Sequence, residues 1–292
     1  MKKYLLAIAF LSATVLSGFA QDEEAQNPWS RTSELSFTFS QVSLTNWAAG
    51  GEGSVALNAM GNFALNYKEG NNSWQNKLEL GYGLVKPGDE NMKKSDDKIY
   101  FESKYGRKAS EKLDWTALLS FRSQFVEGYD YPDDDEKVLL SNFLAPGYLN
   151  FSVGINWKPV EYFSAFFGPA TPKLTIVNDQ VLADKGAFGV EPGAKTRFEF
   201  GGLAKLNFKK DIFENVNLAS NLELYSNYLK NPQNIDIIWD VMVFMKINDF
   251  LSANITTNLL YDDDIMITDA DGNVGPRVQF KEILGVGLTF KF

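Results

Sequence analysis

From residue 284 to residue 292 the side chains alternate: Leu284, Val286, Leu288, Phe290 and Phe292 on one side, Gly285, Gly287, Thr289 and Lys291 on the other. A period of two gives each set its own face of a sheet, and a strand of this kind closing on an aromatic is the usual last strand of an outer-membrane β-barrel. Such a strand buries only one face, so the rest of the sequence must supply its neighbours.

Counted the same way, alternation recurs in eleven further segments. Leu35, Phe37 and Phe39 begin it; Val55 to Tyr67, Trp74 to Leu84, Ile99 to Tyr105, Leu113 to Phe125 and Leu149 to Trp157 continue it. A strand starts near Tyr162, but Gly168, Pro169 and Pro172 interrupt its pattern, so its end is not fixed by alternation. Phe198 to Phe208, Leu218 to Tyr228, 235–247 and 251–261 lead to the terminal strand.

The connections segregate by length. After even-numbered strands they are short (68–73, 107–112, 159–161, 209–215, 248–249), and after odd-numbered ones mostly long (44–53, 85–97, 126–147, about 177–193, 262–278), with 229–234 the exception. Short turns at one end and long loops at the other are the outer-membrane arrangement. Rings collect at strand ends on the parity read as outward: Tyr67, Trp74, Tyr105, Trp115, Trp157, Phe208 and Phe292 at the turn end, Tyr82, Phe125, Tyr228 and Tyr261 at the loop end. Two aromatic girdles are what a lipid-facing wall requires.

Residues 1–20 carry Lys2 and Lys3, an apolar run from Tyr4 through Leu16, and small residues before Ala20, the pattern of a cleaved signal peptide. No later stretch supplies the roughly twenty apolar residues of a spanning helix; 235–247 contains Asp236, Asp240 and Lys246. The expected organisation is therefore a leader (1–20), an N-terminal periplasmic segment (21–33) and an all-β transmembrane antiparallel barrel of about twelve strands (34–292), in the outer membrane of a Gram-negative bacterium.

With 28 Lys and Arg against 37 Asp and Glu, or 26 against 37 without Lys2 and Lys3, the chain is acidic, which argues against nucleic acid as a partner. Lipid and lipopolysaccharide are the expected partners, with a small solute as a further one. There is no cysteine and no histidine. The first removes disulfide and thiol chemistry, and the second removes the usual base of membrane hydrolases. No enzyme, cofactor, catalytic residue or metal site is expected. Glu223 and Asp240, on adjacent inward faces, are the one carboxylate pair that acid–base work would draw on.

The inward parity holds Lys77, Glu79, Glu102, Lys104, Arg122, Arg197, Glu199, Lys205, Glu223, Asp240 and Lys246, charges of mixed sign on neighbouring strands. These predict a salt-bridged lumen wall, with Arg122, Gln124, Arg197, Glu199, Glu223, Tyr225 and Asp240 as pore-lining candidates. Ile238, Met242, Phe244, Phe250 and Leu260 also take inward parity and need an apolar cover. Residues 126–147 contain Val138, Leu139, Leu140, Phe143 and Leu144, too apolar for a solvated loop, and are expected to fold over or into the barrel mouth. Two acidic clusters, Asp130 with Asp133 to Glu136 and Asp262 to Asp264 with Asp269 and Asp271, read as solvated outer loops. Asp269 to Asn273 opens like a calcium loop but lacks the closing glutamate. The glycine-rich 47–53 stretch reads as a tight hairpin connection, since no helix or Lys-Ser/Thr follows to make a phosphate cradle.

Several segments, in order, form a recognisable set: NWAAGG at 46–51, GYGL at 81–84, QFVEGYDYP at 124–132, FLAPGYL at 143–149, GAFG at 186–189, LYSNYLKNPQNIDIIWD at 224–240 and LYDDDI at 260–265. They resemble a family of outer-membrane proteins of Bacteroidota known only as a domain of unknown function. The resemblance implies a barrel in the membrane and carries over no catalytic or binding residue. Function is therefore open among three classes: a porin-like channel for passive or semi-selective passage of small solutes, a non-transporting barrel acting as a structural or partner-binding surface, and an integral hydrolase, the last disfavoured without histidine.

Overall fold

The computed structural model describes residues 27–43, 53–88, 90–131, 137–268 and 272–292. The leader, the 44–52 connection and the acids at 133–136, 269 and 271 lie outside them, as does most of the calcium-like stretch.

Twelve antiparallel strands close into one barrel. In chain order they are β1 (Trp29–Val42), β2 (Ser54–Glu69), β3 (Asn72–Pro87), β4 (Lys93–Lys108), β5 (Leu113–Ser123), β8 (Gly147–Val160), β9 (Phe163–Ile176), β10 (Thr196–Phe213), β11 (Val216–Asn227), β12 (Ile235–Lys246), β13 (Leu251–Tyr261) and β16 (Gln279–Lys291). Four short strands pair within loops, β6 (Gly128–Asp130) with β7 (Val138–Ser141) and β14 (Met266–Thr268) with β15 (Val274–Pro276). Each barrel strand pairs with its neighbour in the chain, except where a loop hairpin intervenes, and β16 returns to β1. That last join is short: six residue pairs, Glu34 with Lys291 through Phe39 with Val286, against sixteen between β2 and β3.

The outward parity is apolar and uncovered along the wall. Phe37, Leu57, Leu119, Phe151, Phe167, Phe198, Leu284 and Leu288 are all exposed, and Trp115 is 61 % exposed. Rings at the turn end pack edge to face or tilted with one another, Trp29 on Tyr67 at 5.0 Å and on Trp74 at 6.0 Å, Tyr162 on Phe208 at 5.8 Å. At the loop end Tyr82, Phe125 and Tyr228 are exposed as expected. Tyr261 keeps the parity opposite to Leu260 but is half-buried, and part of it borders a cavity in the lumen.

Three boundaries differ from the sequence reading, each for a physical reason. β1 begins at Trp29, so residues 29–33 belong to the barrel, paired with 63–67 of β2, and not to a separate N-terminal segment. Residues 85–87 and 93–97, read as loop because of their charges, are strand: Asp96 and Lys98 continue the inward parity of β4 and find partners inside. In β9 an additional residue is accommodated opposite both neighbours, since Gly201 faces Thr171 while Leu203 faces Gly168, and Val153 faces Ala170 while Ile155 faces Phe167. This bulge around Pro169 and Ala170 flips the parity, so Phe166 and Gly168 point inward before it and Thr171, Lys173 and Thr175 after it. The proline missing an N–H sits where the ladder is already broken.

Candidate functional site

The lumen is crossed by side chains. β4 and β12 stand six places apart in the ring of twelve, diametrically opposite, yet Lys98 Nζ on β4 lies 3.9 Å from Asp240 Oδ2 on β12 while holding Glu79 of β3 at 2.6 Å. From β10, four places from β4, Lys205 reaches the Tyr100 hydroxyl at 2.8 Å, pairs with Glu102, and holds its own neighbour Glu223 at 3.2 Å. On the other flank Lys281 of β16 meets Asp96 of β4 at 2.5 Å. Lys173 of β9 reaches Asp236 of β12 at 2.9 Å and Glu199 of β10 at 3.5 Å. Under these pairs Leu118, Phe166, Leu203 and Tyr225 form an apolar cluster inside the β5 to β11 half of the wall. Buried charges persist only where geometry returns what desolvation costs, and every lysine named here has a carboxylate partner.

Above this layer, on the loop side, lies a cavity of about 60 Å³. β5 and β8 contribute its polar wall: Arg122 faces Tyr148 across the strand pair, and Ser120 faces Asn150. β12 and β13 contribute Ile238, Leu260 and Tyr261, and Ile265 closes it from the connection that follows. The apolar cover needed by Ile238 and Leu260 is thus the 262–265 turn. In the described part of the 126–147 segment, Leu139 and Ala145 instead join Val177, Leu182, Ala183 and Val190 in a separate small core with the β9–β10 connection and its one-turn helix α1 (Gln180–Asp184). Leu140 and Phe143 stay exposed. Phe250 is not inward either; it lies outside against Phe290, ring centroids 6.4 Å apart.

The pore-lining candidates therefore separate. Arg122, Glu223 and Tyr225 line the cavity, and Asp240 belongs to the ion-pair layer below. Arg197 and Glu199 pair with each other at 2.9 Å, Glu199 being only 1 % exposed, so they stiffen the wall and carry the rim. Gln124 does not face the cavity: its amide donates to the carbonyls of Asn142 at 2.8 Å and Ala145 at 3.1 Å, fastening the loop. Lys246 is likewise spent at the turn end, on Asp249 at 2.8 Å. Missing from the candidates were Asp96, Lys98, Tyr100, Tyr148, Lys173 and Lys281. Extending the β4 alternation backwards would have found the first three; Lys173 was hidden by the bulge.

The described part of the second acidic cluster, Asp262 to Asp264, is held by partners instead of standing free in solvent. Asp262 is 8 % exposed, Asp264 takes Arg197 at 2.6 Å and Lys230 at 3.1 Å, and Asp263 accepts from the Asn234 amide. Asp130 of the first cluster is exposed as expected. Burial alone would raise the Asp264 carboxyl, but Arg197 and Lys230 outweigh it and hold it below the ordinary aspartate value of 3.8. A depressed folded-state value means that the contact is complete above the ordinary aspartate range and is lost as pH falls below it. Arg197→Ala should accordingly raise amide exchange across 262–265 at least tenfold at neutral pH, and wild type should show the same loosening only in acid. Unchanged exchange in the variant would remove Arg197 as the clasp.

Among the described residues no group of three His, Cys, Asp or Glu side chains is placed to hold a metal ion. A family model described as a protein of unknown function (DUF3078) matches residues 39–129. Among solved structures the chain is similar to the translocator domain of the autotransporter NalP from Neisseria meningitidis, with 10% identity and a TM-score of 0.40 over 100% of this chain and 95% of that one. It is also similar to an outer membrane channel from Pseudomonas putida F1, with 10% identity and a TM-score of 0.41 over 93% of this chain and 100% of the other. No curated protein matches the chain.

Proposed function

We propose that the protein is an integral barrel of the outer membrane that admits small solutes to a chamber on its loop side and passes them only when the ion pairs beneath it part. The observation that carries this reading is the set of lysines reaching from one wall to another, Lys98 to Asp240, Lys205 to Glu102 and Lys281 to Asp96. A standing pore keeps its charges flat on the wall, whereas these occupy the path. The interior charges hold the wall and select solutes in this reading; none acts as a catalyst. In planar bilayers the purified protein should rest sealed, with rare or no conducting steps; a large, constant conductance from the moment of insertion would refute the gate.

Placement in lipid is supported by the uncovered apolar wall between two sets of rings. Leu119, exposed at the middle of β5, is the point at which to test it. Leu119→Arg should lower stability in lipid vesicles by about 2–4 kcal/mol, read from denaturant unfolding. A face bathed in water would tolerate that arginine with almost no change. Lipid and lipopolysaccharide are then the partners of the outer face.

One observation favours a second reading, a partner-binding rim. The two loops that share a core leave Leu140, Phe143 and Val181 exposed on it. A barrel of this kind would stay sealed under every voltage and solute tried.

A further inference from the structure

The cavity is two-faced. On the β5 and β8 side stand Arg122, Ser120 and Asn150, and across the lumen on β12, β13 and the turn after it stand Ile238, Leu260 and Ile265. Its carboxylates are already engaged: Glu223 by Lys205 at 3.2 Å, Asp236 by Lys173 at 2.9 Å, and Asp262 by the backbone N–H of Asp264 at 2.9 Å. Arg122 is different. Among the described residues its guanidinium has no ion pair within 4.0 Å and no hydrogen bond, its contact being the face of Tyr100 at 5.3 Å. Arg122 is half-buried, and its planar fork faces the cavity without a hydrogen-bonded partner from the protein. Beside it the side-chain oxygen of Asn150 is buried and has no donor, while its nitrogen reaches Ser120 Oγ at 3.4 Å.

We propose that this cavity binds a small organic carboxylate with an apolar body, the carboxylate on Arg122 and the hydrocarbon on Ile238, Leu260 and Ile265. The proposal rests on the reading of the chamber as the place where solutes enter. A guanidinium presents parallel N–H groups that match two carboxylate oxygens, and a bidentate pair fixes both distance and plane. Asn150 and Ser120 add neutral polar contacts next to the head. On the opposite wall the carboxylates of Asp236 and Asp262 are held by Lys173 and by the backbone N–H of Asp264, which leaves Ile238, Leu260 and Ile265 to receive the tail, selected by loss of water from its surface. A volume of about 60 Å³, several times the roughly 10–15 Å³ that one water needs by the same measure, leaves room for a small organic molecule.

Calorimetric titration of the full-length mature protein in detergent micelles tests the assignment, with butyrate and benzoate as probes and 1-butanol and benzyl alcohol as their uncharged counterparts. Both carboxylates should bind saturably, one per barrel, and at least tenfold more tightly than the matching alcohol. Arg122→Gln should erase that preference, while Leu260→Asn should weaken benzoate and benzyl alcohol alike. Wild-type protein that binds alcohol as well as acid, or binds neither, overturns the proposal whether or not the variants fold. So does Arg122→Gln protein that takes benzoate as wild type does. A barrel sealed in the bilayer but indifferent to carboxylates would remove this ligand and leave the gate standing; a standing pore would remove the gate whatever benzoate does.

Discussion

Replacing Lys98, Lys205 and Lys281 together with alanine is expected to turn a sealed barrel into a conducting one. Each of these lysines reaches from its own strand across open interior to a carboxylate on another wall, and each truncation shortens that reach to a methyl group. The wall itself should survive, because each of the three positions is paired through the backbone with at least one neighbouring strand, Lys98 opposite Gly81, Lys205 opposite Glu223 and Phe166, and Lys281 opposite Asn258. What remains inside is Glu79, Asp96, Glu102, Glu223 and Asp240 with most of their cations gone. The opened path should therefore prefer cations, and single-channel conductance should rise at least tenfold over wild type, with a reversal potential shifted towards that of the cation in a salt gradient. A buried carboxylate that loses its partner costs about 3–5 kcal/mol when it stays dry, so water entering the lumen is the cheaper outcome. A triple variant that folds and stays sealed would show that the apolar cluster of Leu118, Phe166 and Leu203, and not the ion pairs, blocks the path.

The second large effect belongs to Gly154, opposite the bulge of β9. A Cβ placed there would stand 1.9 Å from the backbone oxygen of Phe167 and 2.7 Å from the Cα of Gly168. Neither neighbour can rotate away, since both are main chain, so even alanine must push β8 and β9 apart. Overpacking of well-fitted interiors costs about 1–3 kcal/mol, and contact with rigid backbone places this site at the top of that range or above it. Gly154→Ala should lower the midpoint of thermal unfolding in micelles by about 10 °C, or prevent the barrel from forming, given roughly 2–4 °C per kcal/mol for a chain of this size. Gly275 supplies the control, because a Cβ there meets nothing within 4 Å. If both alanine variants melt with wild type, close approach at the bulge is not what Gly154 provides.

The twelve strands and the side each faces were readable because a half-buried strand leaves its period in the sequence wherever the ladder is regular. Reading failed where the ladder is not. Around Pro169 and Ala170 the bulge changes the phase, and a one-residue shift sends every following side chain to the other face, so Lys173 was lost to the site. The 93–97 stretch, taken with the connection before it, is strand, because charges facing a lumen are compatible with strand. Parity showed that Arg122, Arg197, Glu199, Glu223 and Asp240 point inward, but parity says nothing about which of them meet across empty space. That depends on the ring position of each strand, which is why Lys98 meeting Asp240 and Arg122 remaining alone could be seen only in three dimensions. The apolar loop segment was expected to cover the barrel mouth; instead its Leu139 and Ala145 pack with the β9–β10 connection, which supplies Val177, Leu182 and Ala183, while Leu140 and Phe143 stay exposed.

The short ladder between the first and last strands carries an entropic debt out of proportion to its length. Bringing together two stretches about 250 residues apart costs roughly 5 kcal/mol by the logarithmic rule for flexible chains, before any constant is added. Six paired positions, spanning about 20 Å at strand spacing, are what convert a curved ribbon of twelve strands into a ring. Nearly all other order in the molecule is local, hairpin upon hairpin, and circularity alone hangs on this clasp between the chain's two extremities.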